Sequence, residues 1–446
     1  MNANVYPAAG PASQSERIVI IDSLRGIALL GILLMNIPYF GMPEPGTDNL
    51  VLRHELGTIN QSVWYVVGWV FEGSQRAIFS MLFGAGVILF VSRLEKRAAG
   101  MAPAEYFIRR QLWLLVFGLF DAFVLLWYGD ILFGYAVAGV IMFVFRKLSP
   151  KYLLLAATVS LVLMMVRENR ELYKQKGVIA KGEAIAKMDT SKVKLTEDQR
   201  DDLAAMTGFK ERADSAGQRK RMEKNQRHMR DNYAVLYETV SENSTSLEME
   251  ESYYAIWDIL LFMFLGMAFF KMGILTGDVP VKLYWWLFII GMGGGLILSY
   301  FRLQPVLQYH FNRYVIAKHV LFGYYEISRT FRSLGIFGLI MLGYKSGWCK
   351  GFFSLMRPVG QMAFTNYLMQ SLLCGSFFYG IGLGMFGKLQ RYELYFVVAA
   401  VWIIEIIWSH VWLRYFRFGP MEWVWRSLTY WKRQPMKREK DAASPV

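Results

Sequence analysis

Apolar runs long enough to cross a bilayer recur along this chain. They lie at about 18–38, 62–92, 110–128, 131–146, 149–166, 254–275, 283–301, 330–345, 353–380 and 394–413. Short polar stretches separate them, so the pattern predicts about ten transmembrane helices. The second run is interrupted by Glu72-Gly73-Ser74-Gln75-Arg76. Two charges and a helix-weakening glycine there predict a helix in two pieces. The stretch 167–250 is different: it has no Pro, Cys or Trp, and its charges alternate in sign. Thr196-Glu197-Asp198-Gln199 matches a capping box ahead of Leu203, Ala204 and Met206, which predicts two or three solvated helices that cover one face of the bundle. No internal repeat of the transporter type is visible.

The expected fold class is therefore all-α: a polytopic membrane helix bundle with a helical insertion outside the cytoplasm. Its parts are a flexible N-terminal tail (1–16), an N-terminal transmembrane bundle (17–166), a charged helical insertion (167–252), a C-terminal transmembrane bundle (253–430) and a basic tail (431–446). The first sixteen residues lack the basic start of a cleavable signal.

Composition agrees with this pattern. Apolar residues make up 54% and charged residues 19%, too few charges to cover a soluble fold of this size. Only Cys349 and Cys374 occur, which excludes a disulfide scaffold and reads as reduced packing residues. The net charge of +14 would suggest nucleic acid if it were clustered on one surface. Instead, the stretch 167–250 holds 17 basic against 16 acidic residues, and the excess lies in the short loops between runs. With the N-terminus inside, the cytoplasmic segments carry 22 Lys and Arg and the short external loops 7. The positive-inside rule then orients both termini to the cytoplasm of a bacterial inner membrane. The lipid bilayer is the expected partner, nucleic acid is not, and a homo-oligomer is compatible with the pattern.

Charges inside spans are costly and mark candidate sites. In the first span, Asp22 and Arg25 are three residues apart on one helix face, and Asn36 lies four turns, roughly 21 Å, further along it. Glu72 and Arg76 flank the interruption of the second run. Asn366 and Gln370 share a face of the ninth, with Gln361 and Thr365 on another, and hydrogen bonding between helices is the ordinary use of such residues. Glu405 in the last span has Ser409 as its nearest suitable partner. No histidine spacing suits a metal, and none is expected.

Four stretches together resemble the YeiB-type family of bacterial membrane proteins, which is defined by a domain of unknown function. They are Arg17 to Asn36 with its Asp-x-x-Arg-Gly core, Arg76 to Gly86, Gly360 to Gln370, and Trp412 to Tyr430 with Gly419, Pro420, Glu422, Trp423 and Arg426. The first stretch also looks like that of membrane acetyltransferases acting on heparan glucosamine. That resemblance implies transfer of an acyl group from cytoplasmic acyl-CoA to a sugar or other small acceptor across the membrane. It also implies a catalytic histidine after the first span, where His54 is the one histidine available, with Glu55 or Glu44 to orient it. Arg93, Lys96, Arg97, Arg109 and Arg110 form the basic rim that would hold the CoA phosphates. The competing reading is a carrier or channel for a small or amphipathic solute, its path lined by Glu72, Arg76, Asn366 and Gln370.

Overall fold

A computed structural model of the protein describes residues 18–97, 100–188, 194–246 and 252–438. The expected N-terminal tail and the last residues of the basic tail lie outside them. The fold is all-α, and among the described residues the only β pairing is an isolated bridge between Phe416 and Lys437. The first group of helices is α1 (Val19–Gly41), α2 (Ile59–Val70), α3 (Ser74–Arg97), α4 (Ala102–Phe123), α5 (Leu132–Phe145) and α6 (Pro150–Ala186). The insertion adds α7 (Glu197–Ala213), α8 (Ser215–Met229) and α9 (Tyr233–Thr245). The chain continues through α10 (Ser252–Lys271), α11 (Val281–Gln308), α12 (Arg313–His319) and α13 (Tyr325–Ser346). It ends with α14 (Lys350–Gln361), α15 (Ala363–Phe378), α16 (Arg391–Tyr415) and α17 (Pro420–Tyr430). Among the described residues, counting α2 and α3 as one rod, five helices are long and apolar enough to cross a membrane.

Contacts sort the connections into two ends. At one end, Lys271 Nζ donates to the Leu148 carbonyl (2.5 Å), Lys345 Nζ to that of Gly277 (2.8 Å) and Ser23 Oγ to that of Phe353 (2.9 Å). We call this the basic end. At the other, the insertion sits on the loops 42–58 and 379–390. Asn49 Nδ2 donates to Gln218 Oε1 (2.8 Å), the Glu44 amide to Asn225 Oδ1 (3.1 Å) and Arg230 Nε to the Phe386 carbonyl (2.6 Å). The capping box forms as expected, with Thr196 Oγ1 accepting from the Gln199 amide.

The helix α6 crosses the expected boundary at 166/167 without a break. Its Glu168 accepts from the amides of Tyr325 (2.8 Å) and Glu326 (3.2 Å), capping α13. In its last turn, Glu183 accepts from Lys318 (2.6 Å) and Tyr314 (3.0 Å) of α12. Those bonds, the one from Lys318 foremost, hold the Glu183 carboxyl below the usual range.

Both interruptions have local causes. Gly73 ends the α2–α3 break at φ +72°, and a Cβ there would stand 2.3 Å from Arg329 Cδ. Only glycine meets both demands. The ninth run, read as one span, is two helices: α14 stops at Gln361, and α15 restarts under a cap supplied from α17. Glu422 accepts from the amides of Phe364 (2.7 Å) and Thr365 (3.0 Å) and from the Thr365 hydroxyl (2.5 Å). A carboxylate on a helix N-terminus satisfies donors that the helix cannot. Cys374 is a buried packing residue as expected, whereas Cys349 is exposed.

Candidate functional site

The first-span motif forms at the basic end. Arg25 Nη1 lies 3.3 Å from Asp22 Oδ1, and Gln361 Nε2 donates to Asp22 Oδ2 at 3.4 Å. These residues meet because α1 and α14 cross closely: a Cβ on Gly360 would fall 1.8 Å from the Asp22 carbonyl oxygen, and one on Gly26 2.3 Å from that of Met356. Paired small residues are how membrane helices reach such separations.

The crossing forms one wall of a cleft. Its mouth, about 180 Å³, is lined by Arg25, Arg93, Arg97, Arg110 and Arg426, with Asp22 the one acid among the lining residues. Arg25, Arg110, Gln361 and Arg426 also line a second space of about 180 Å³ deeper in the bundle. There the walls are apolar, including Phe79, Phe83, Phe107, Leu114, Phe364 and Trp425. Arg110 stands 3.4 Å over the Trp425 ring and Arg426 4.5 Å over that of Phe418, which fixes both guanidinium groups at the rim. A cationic mouth thus opens into an apolar chamber.

Two tyrosines end the chamber toward the insertion. Tyr135 bonds to Ser80 Oγ (2.6 Å) and to the Arg76 carbonyl (3.2 Å). Tyr367 donates to Asp130 Oδ1 (3.3 Å) and accepts from the Ile131 amide (3.1 Å). Asp121, fully buried, stands close enough to Asp130 to act on it.

The remaining expected residues divide. Of the basic rim, Arg93, Arg97 and Arg110 line the mouth, while Lys96 is exposed. Arg109 pairs with Glu105 and packs over Trp431 (4.9 Å). Glu72 and Arg76 do not face a common partner. Arg302 of α11 bridges Glu72, and Asp258 of α10 takes Arg76 (2.5 Å), because the break at Gly73 turns the two side chains apart. Asn366 Nδ2 donates to Ser409 Oγ (2.9 Å) and Gln370 Nε2 to Glu405 Oε2 (3.1 Å). Both thus join α15 to α16, and Ser409 serves Asn366 rather than Glu405. Asn36 is half-buried near the end of α1. Gly419 and Pro420 start α17, and Trp423 Nε1 donates to the Gln434 carbonyl (2.8 Å).

His54 is exposed, with φ +56° and Nε2 3.2 Å from Arg219 of the insertion. Neither proposed orienting acid reaches it: Glu55 binds Arg391 (2.7 Å) and Arg53 (3.2 Å), and Glu44 accepts from Tyr128 (2.5 Å).

The sequence reading missed a network around Asp258. Its second oxygen accepts from Arg329 of α13, which also pairs with Glu326 (2.5 Å). Arg332 donates to the carbonyls of Gly68 (2.7 Å), Trp69 (2.8 Å) and Glu72 (2.8 Å), capping the end of α2. Asp121 was missed as well. It and Asp258 are isolated acids inside apolar runs, a signal that was available.

Residues 269–432 match a family described as "Protein of unknown function (DUF418)". This match contains two of the four stretches that carried the family resemblance. The chain is 28% identical to the uncharacterized protein YxaH of Bacillus subtilis over 439 residues, 96% of this chain and 98% of that one. It is also 28% identical to the uncharacterized protein YeiB of Escherichia coli, over 93% of this chain and 96% of that one. No solved structure matches. The YeiB-type resemblance read from the sequence therefore stands, and it brings a family without a reaction.

Proposed function

From the premise of a DUF418-type helical membrane protein similar to YeiB and YxaH, we propose that the chain is a transmembrane acyltransferase. It takes an acyl group from cytoplasmic acyl-CoA and passes it to an acceptor on the other side of an inner membrane, with both termini cytoplasmic. One observation carries this reading: the arginine-lined mouth continues into an apolar chamber of comparable volume. Acyl-CoA has a matching division, a polyanionic nucleotide end and a thin, uncharged arm ending in the thioester. Arginine is well suited to the phosphates because its planar fork binds them in a bidentate manner.

The thioester end would then lie toward Tyr135 and Tyr367. In the transfer, the acceptor's oxygen or nitrogen attacks the thioester carbonyl, the C–S bond breaks, and the acceptor's proton finishes on the departing CoA sulfur. Tyr367, which donates to Asp130 (3.3 Å), is the group placed to pass it on at that end.

The test is equilibrium binding of acetyl-CoA to the purified full chain, followed by mass spectrometry of acceptors incubated on the far side of reconstituted vesicles. Micromolar binding that competes with CoA supports the reading, and absence of binding by any acyl-CoA overturns it. External labelling of a cysteine at Ser215 but not at Ser149 supports the orientation. A carrier remains the second reading, favoured by one feature: a further cavity at the insertion end reaches Glu72, four residues before Arg76, whose carbonyl holds Tyr135 of the chamber. Movement of an intact amphipathic anion across vesicles, with no acyl product, would decide for it.

A further inference from the structure

The acyl-transfer reading leaves a large cavity at the insertion end without a role. It measures about 410 Å³ and lies among α1, α2, α11, α12, α16 and the loop 42–58. Several of its charges are already satisfied. Arg302 serves Glu72, and Arg391 serves Glu55 and the carbonyls of Gly46 and Thr47. Two charges keep capacity toward the open space. Asp48 accepts from the Tyr39 hydroxyl (3.1 Å) on one oxygen only. Arg313 has no hydrogen bond or ion pair among the described residues, yet its charge acts on Asp48. Both side chains are exposed, Asp48 on the loop 42–58 and Arg313 at the start of α12. Trp64 and Phe311 supply an apolar wall, their ring centroids 5.0 Å apart.

Asp48, Phe311 and Arg313 also line a second space of about 630 Å³, walled by Phe209, Gln218, His228 and Glu242 of the insertion. These three residues therefore form the neck between an outer vestibule and the inner cavity. At its inner end the cavity reaches Glu72, four residues along the chain from Arg76, whose carbonyl holds Tyr135 of the acyl chamber. Ser74 and Gln75, in the turn between, each keep a buried side-chain oxygen without a partner among the described residues.

We propose that this cavity is a binding site for a small hydroxyl- or amine-bearing molecule that carries one acidic group, entering through the insertion. Arg313 takes the acidic group, Asp48 accepts from the hydroxyl or amine, and Trp64 and Phe311 cover the ligand's carbon skeleton. Calling that molecule the acyl acceptor rests on the acyltransferase reading, whereas the binding itself does not.

The probes are D-glucuronate and D-glucosamine 6-phosphate, compared with D-glucose and D-glucosamine, in calorimetric titrations of the purified full chain. The expected result is at least tenfold tighter binding of the acidic probes. Arg313→Gln should remove that preference and Arg313→Lys should restore part of it, while Asp48→Asn should weaken the amine-bearing probes. Acetyl-CoA affinity and melting temperature should stay unchanged in these variants. No preference for the acidic probes, or a preference that survives Arg313→Gln, overturns the proposal. If acetyl-CoA fails to bind while the acid preference holds, the acyltransferase reading falls and the cavity stands as a solute site.

Discussion

Two groups of arginines in this bundle look alike in the sequence and differ in the structure. Arg76 and Arg329 close on Asp258, Arg329 adds Glu326, and Arg332 closes on the end of α2. Arg329 and Arg332 are 1% and 0% exposed. At the basic end, Arg25, Arg93, Arg97, Arg110 and Arg426 surround a space that only one acid lines. Cost at membrane depth marks both groups, and open volume separates them. In the first group the partners belong to the chain itself, carboxylates for Arg76 and Arg329 and carbonyls for Arg332, which makes it a joint between α2, α3, α10 and α13. In the second the geometry leaves room for a partner that is not part of the chain.

Removing the shared acid should break the closed group most severely. Asp258→Asn leaves Arg76 without its acid and Arg329 with Glu326 alone, a cost of about 3–5 kcal/mol. A melting curve in detergent should show a drop large enough to lower the folded yield. An unchanged melting temperature would mean that the network is not a joint. The next effect acts on the wall of the open group. Gly360→Ala places a methyl where the Asp22 carbonyl oxygen lies 1.8 Å away, so α14 must move off α1. The expected cost is about 1–3 kcal/mol, together with weaker acetyl-CoA binding because the cleft wall shifts. Loss of stability with unaltered binding would detach the cleft from the crossing.

Arg93→Gln should behave in the opposite way to Asp258→Asn. Stability should stay within about 0.5 kcal/mol, while acetyl-CoA affinity falls about tenfold, roughly 1.4 kcal/mol. A large stability loss in Arg93→Gln would erase the distinction between the two groups. His54→Ala is the smallest perturbation, expected within about 0.5 kcal/mol and without effect on acyl transfer. Abolished transfer there would put the chemistry on the exposed loop and away from the cavities.

The apolar runs, the break at Gly73 and the capping box at Thr196 were legible because each depends on residues close in sequence. Partner choice was not. Glu72 and Arg76 read as a pair four residues apart, yet their actual partners lie 230 and 182 positions away. The same holds for Glu405, which takes Gln370, 35 positions away, in place of Ser409. Of the expected cleft residues, Asp22, Arg25, Arg93, Arg97, Arg110 and Arg426 converge because α1, α3, α4 and α17 end together. Nothing local to any of those helices specifies that. Arg329 and Arg332 escaped notice because they fall at the start of an apolar run, where a charge reads as the edge of a loop.

The uninterrupted α6 makes the insertion a mechanical extension of the bundle. Its 37 residues form a mast of about 55 Å, seated among spans at its foot and tied to α12 by Glu183 at its top. The part beyond Arg167 is a lever arm of roughly 30 Å, so a tilt of only ~5° at its base carries the top ~2–3 Å sideways. The vestibule neck contains Arg313, the first residue of α12, to which the top of the mast is fastened. One wall of the outer opening is therefore carried by the same helix that packs among the spans.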